Sequence, residues 1–96
     1  MGTTIAPDQL LKNIYAVTGF TKEQIEQPNR GKRELSDTRM SIARILHNLF
    51  PEFSQAKVGG FVNRDHASVY RYYKIVDETK EVKRVYMDIK NKLDLN

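Results

Sequence analysis

Asn63-Arg64-Asp65-His66-Ala67-Ser68-Val69 places a guanidinium, a carboxylate, an imidazole and a hydroxyl within seven consecutive residues. Asp65 and His66 do not form a catalytic pair or a metal site, because adjacent positions cannot converge on one atom. The group can instead present hydrogen-bonding edges. Asp65 accepts, His66 donates or lies against a methyl group, and Ser68 does both. Arg71 and Lys74 follow and add positive charge. Polar side chains at the leading end of a basic helix suit the base edges and phosphates of a DNA major groove.

The flanking elements must position that end. Ser54-Gln-Ala-Lys-Val-Gly-Gly-Phe precedes it and Tyr70-Arg-Tyr-Tyr-Lys-Ile follows. The run reads as a short helix opened by Ser54, a bend marked by Gly59-Gly60, and a second helix over about residues 64–76. This is the pattern of a helix-turn-helix whose second helix reads DNA. In the first helix Val58 and Phe61 face inward and Lys57 outward. In the second, Val69, Tyr72, Tyr73 and Val76 share a narrow arc, with Arg64, Ala67, Arg71 and Lys74 opposite. On this wheel Asp65 and His66 lean toward the core, and only their place in the first turn exposes them. Asp65 is also a candidate N-cap. A packed histidine is the competing reading of His66. Tyr72 and Tyr73 are read as core, and Tyr70 as reaching a phosphate.

The remaining periodicity is helical as well. Leu10, Leu11, Ile14 and Val17 share a face after Pro7-Asp8, and Gly19 is the expected stop. Thr21 and Gln24 have capping-box spacing and open a short helix through about Gln27. Residues 28–33, Pro-Asn-Arg-Gly-Lys-Arg, form a basic loop. Ser36 or Asp37 is the expected cap of a third helix with Ile42, Ile45, Leu46 and Leu49 inward, Met40 and Ala43 at the edges, and Pro51 at its end. Arg39 and Arg44 read as solvated or paired with Glu34 and Asp37, and His47 as a surface residue. Val82, Val85, Tyr86, Ile89 and Leu93 form the apolar face of a last helix. Asp77-Glu78-Thr79 either separates it from the helix before or continues that helix. No strand-like alternation or internal repeat is present. The expected fold is all-α, a compact bundle of about six helices containing a helix-turn-helix, as a single domain over residues 1–96.

The charge is uneven. Net charge is +4, yet residues 30–74 hold nine basic and four acidic side chains, and the rest seven basic and eight acidic. A local basic field is the footprint of a polyanion partner. The chain has no cysteine, which excludes disulfides and zinc-thiolate sites. No apolar run approaches the roughly 20 residues of a membrane span. Residues 1–7 lack the basic and apolar regions of a secretory signal, and Ala6 breaks the myristoylation pattern begun by Met1-Gly2. A cytoplasmic protein is expected. No carboxylate pair, nucleophile with base, or phosphate-cradling glycine loop suggests an enzyme, a cofactor or a small-molecule substrate.

Residues 54–75 resemble the C-terminal DNA-binding domain (domain IV) of DnaA, the bacterial replication initiator. That family's helix-turn-helix ends in Arg-Asp-His-Thr-Thr-Val. Arg64-Asp65-His66 and Val69 match it, and Ser68 is a conservative replacement. Ser54 and Val58-Gly59 match its Ser-x-x-x-Ile-Gly. Arg39 and the helix through Leu49, the basic loop at residues 30–33 and the early helix around residues 11–15 resemble the family's corresponding parts. Ala67 stands where the family has threonine, and the spacing from Gly59 to Arg64 is one residue shorter. No ATPase phosphate loop lies in these 96 residues. The resemblance implies a Trp-repressor-like helical fold and sequence-specific duplex DNA binding at replication-origin boxes. It implies base contacts from Asp65, His66, Ala67 and Ser68. Phosphate or minor-groove contacts fall to Arg30, Lys32, Arg33, Lys57, Arg64, Arg71 and Lys74. The partner is double-stranded DNA with an AT-rich site, bound by a monomer. A helical RNA-binding or protein-interaction module is the alternative.

Overall fold

Local signals in the chain set most helix ends. In the computed structural model, which describes residues 5–95, Pro7 lies in the first turn of α1 (Pro7–Thr18). Its fixed φ suits that position, and its missing N–H costs nothing there. Gly19 stops α1 in the left-handed conformation at φ 80°, its N–H donating to the Tyr15 carbonyl at 2.9 Å. Thr21 opens α2 (Lys22–Glu26) with a complete capping box. The Gln24 N–H donates to Thr21 Oγ at 3.1 Å, and the Thr21 N–H donates to Gln24 Oε1 at 2.8 Å. α3 (Arg33–Leu49) follows the basic loop, and then α4 (Gln55–Val62), α5 (His66–Glu78) and α6 (Lys80–Lys92) complete six helices with no strand among the described residues. The readings made of Met1 and Gly2 lie outside the described residues.

α3 is the axis of the fold and touches each of the other five helices. Nine consecutive residues of it, Leu35 to Ala43, are buried. The expected apolar stripe is therefore too narrow over this stretch, where neighbouring helices and the loop cover every side. α1, α5 and α6 supply Leu10, Ile14, Val69, Val76, Val82 and Ile89 to the shared core.

Several expected details differ. α3 begins at Arg33 with Lys32 as a cap that uses no side chain, so neither Ser36 nor Asp37 opens it. Both lie inside the helix, where the Ser41 hydroxyl donates to the Asp37 carbonyl at 2.8 Å. Burial pushes the Asp37 carboxyl above its ordinary value, although Arg33 and Arg30 pull it down. Arg44 pairs with neither Glu34 nor Asp37. It binds Asp77 of α5, with Nε 3.1 Å from Oδ1. His47 is half-buried and stacks on Tyr73, ring centroids 4.4 Å apart. Thr79 separates α5 from α6. Among the described residues no helix is long and apolar enough to cross a membrane.

Candidate nucleic-acid interface

α4 and α5 are joined by Asn63, Arg64 and Asp65. The bend is not at Gly59-Gly60, which lie inside α4. It is made by Asn63, at φ 57° and ψ 50°. Asparagine tolerates that left-handed conformation better than most residues with a side chain. Gly59 has a different task. A Cβ there would collide with the Arg64 carbonyl oxygen, and the Arg64 N–H donates to the Gly59 carbonyl at 2.9 Å. The missing side chain lets the turn fold back onto α4.

α5 begins at His66, two residues later than expected, and Asp65 is its N-cap. Asp65 Oδ1 accepts from the Ser68 N–H at 2.8 Å. That bond holds the Asp65 carboxyl below the usual carboxylate range, with the Ser68 hydroxyl, His66 and Arg71 adding to the effect. Neither Asp65 nor His66 leans on the core. Both are exposed, as are Ala67, Tyr70, Arg71 and Lys74, while Ser68 is half-buried. The wheel leaned both toward the core because it continued the helix back through Arg64 and Asp65; as N-cap and first helical residue they are exposed, as their place at the helix start implied.

The turn is clamped to the end of α2 and to the basic loop. Asn63 Nδ2 donates to the Glu26 carbonyl at 2.7 Å, and Arg64 Nη2 donates to the Asn29 carbonyl at 3.2 Å. Arg64 Nη1 donates to the Asn63 carbonyl at 2.9 Å. Arg64, expected at a phosphate or in a mixed contact, has its guanidinium on the Val62, Asn63 and Asn29 carbonyls. From the other side, Arg39 of α3 holds the same loop. It is 1% exposed, so it is neither solvated nor bound to Glu34 or Asp37. Its Nε donates to the Ile25 carbonyl at 2.6 Å, Nη1 to Arg30 at 3.1 Å and Nη2 to Gln24 at 3.2 Å. A buried cation thus fixes the end of α2 and the start of the loop at once.

Arg30, Lys32 and Arg33 are exposed on the loop and the first turn of α3. Arg33 reaches Asp37 at 3.8 Å. Lys57 is exposed on α4, its Nζ 4.4 Å from the Phe53 ring centroid. Lys74 Nζ lies 5.2 Å from the ring of Tyr70, which is 49% exposed. The fold brings Arg30 and Arg71 to one cavity with Arg39 and Arg64; Lys57 is not part of it. The clamp residues Asn63 and Arg39 were missed as such. Their signals were an asparagine just past a helix end and an arginine in the middle of a helix otherwise destined for the core. The chain matches no protein-family model, and no curated protein sequence matches it.

Proposed function

We propose that this chain binds double-stranded DNA sequence-specifically, in the manner of the DnaA domain it resembles. In this reading α4 and α5 act as a helix-turn-helix, with the leading end of α5 in the major groove. The basic loop reaches the adjacent minor groove. One observation carries it: exposed Asp65, His66 and Ala67 stand at the start of a helix whose turn is hydrogen-bonded to an arginine-bearing loop. Two reading elements held rigidly together need little ordering on binding.

Each group has a chemical role. Asp65 caps α5 through Oδ1, which leaves Oδ2 to accept from a cytosine amino group. His66 donates to a purine acceptor or packs on a thymine methyl, and the small Ala67 lets the helix approach the base edges. Ser68 serves a base or a phosphate. Arg71, Lys74 and Lys57 neutralise phosphates and supply most of the affinity. Arg30, Lys32 and Arg33 supply cations for the flanking phosphates or for a narrow AT-rich minor groove, whose potential is the more negative.

Competition binding tests this. A labelled duplex carrying initiator-box repeats is displaced by the same duplex, by a shuffled duplex and by structured RNA. Preference for the repeats is expected, and equal displacement by RNA overturns the reading. His66→Ala is expected to cost about 1–3 kcal/mol on the preferred site and to blur discrimination. Unchanged affinity on that site removes His66 from base recognition.

A further inference from the structure

Between the loop, α3, the α4–α5 turn and α5 lies an open cavity of about 390 Å³. Arg30, Arg39, Arg64 and Arg71 line it, with Met40 and Tyr72 among its other walls, and no acidic residue does. Asp37 and Asp65 lie near enough to feel Arg30 and Arg71, but neither carboxylate lines the cavity, so its interior is positive. Arg39 sharpens the point. It is almost wholly buried, it donates to three backbone carbonyls, and it makes no ion pair among the described residues. Its charge is therefore met by dipoles and not by a counter-ion. Burial, and after it the neighbouring Arg64, disfavours its charged form. Arg30 and Arg71, at the rim, are exposed and make no ion pair or side-chain hydrogen bond among the described residues. Arg64 is tied to the loop at the Asn29 carbonyl, and Asn63 beside it to the end of α2 at the Glu26 carbonyl.

We infer that this cavity is a phosphate-binding site, gripped at its rim by Arg30 and Arg71 over the positive floor made by Arg39 and Arg64. Planar guanidinium groups match phosphate oxygens two at a time, which favours them over lysine for a fixed site. Capture of a phosphoryl group stands on the cavity alone. That the group is one particular phosphodiester of a duplex rests on the DNA-binding reading. In that case the cavity pins the backbone between the two elements that read the grooves, and so sets their register.

The test has two arms on the whole chain. In the first, inorganic phosphate is titrated at constant ionic strength while the arginine side-chain N–H signals are followed by NMR. The signals of Arg30, Arg64 and Arg71 are expected to move along one saturable curve. Arg30→Gln and Arg71→Gln should each weaken binding roughly tenfold. Both positions are exposed, and an unchanged circular dichroism spectrum and melting midpoint confirm that each variant is folded. Unsaturable drift of all basic side chains alike overturns the site. In the second arm, single neutral methylphosphonate linkages are scanned along the duplex. One linkage should cost the wild type roughly tenfold and Arg71→Gln almost nothing. Saturable phosphate binding without duplex binding leaves the cavity standing with a free phosphate compound as its source, and the DNA reading fails. Specific duplex binding with diffuse phosphate shifts and no privileged linkage overturns the cavity and leaves the DNA reading intact.

Discussion

Asp65 caps α5 with one carboxylate oxygen and sits at its exposed start. The Ser68 N–H favours its charged form, so its folded pKa lies below the ordinary 3.8. The sign follows: a depressed carboxyl pKa stabilises the fold above the unfolded value, and that contribution disappears as pH falls through the folded value. Asp65→Asn keeps a cap and removes the titration. At neutral pH the wild type is expected to melt higher than Asp65→Asn, by a small margin because the group is exposed, and the gap should close well below pH 3.8. Melting curves at the two pH values check this, and a gap that persists in acid refutes the charge-based account. Asp65 and His66 were legible as a polar pair at a helix start. Their exposure was expected from the first turn, but the geometry behind it was not, because it depends on Asn63 turning left-handed three residues before the helix begins.

At the scale of elements, two glycines in one helix have opposite meanings. Gly60→Ala places a methyl in open space and should stabilise the protein by about 0.5–1 kcal/mol through helix propensity. Gly59→Ala gains the same propensity but drives a Cβ into the Arg64 carbonyl, which is backbone and cannot swing aside. It should destabilise the protein and disturb the α4–α5 turn. Urea denaturation of the pair gives the answer, and equal effects would refute the close approach at Gly59. The second element-scale device is Arg39, which joins α2, the loop and α3. Arg39→Met orphans three carbonyls and should cost about 2–4 kcal/mol in urea denaturation. A loss below about 0.5 kcal/mol would mean that water replaces the guanidinium.

Over the whole molecule the charge is the operative quantity. The basic excess lies between residues 30 and 74, and the remaining residues hold seven basic and eight acidic groups. If duplex DNA is the partner, log affinity should fall steeply with log salt, by about 0.9 per phosphate neutralised. Arg71→Gln should weaken binding to all sequences alike and flatten that slope by about one. Lys83→Gln, outside the basic segment, should leave it unchanged. Binding isotherms across a salt series decide this, and equal slopes for both variants would remove Arg71 from the phosphate surface.

Helix number, the caps at Thr21 and Ser54, the stop at Gly19 and the placement of charge were all readable in the linear chain. Each depends on residues no more than about four apart, because an α-helix is closed by bonds between near neighbours. Burial of the polar half of α3 and the clamp on the basic loop were decided by packing alone. Asn63 reaches a carbonyl 37 residues away and Arg44 a carboxylate 33 residues away. No local pattern encodes such partners, since a charged side chain looks the same in sequence whether it faces water or a buried carbonyl. Only the folded chain determines which of the two it meets.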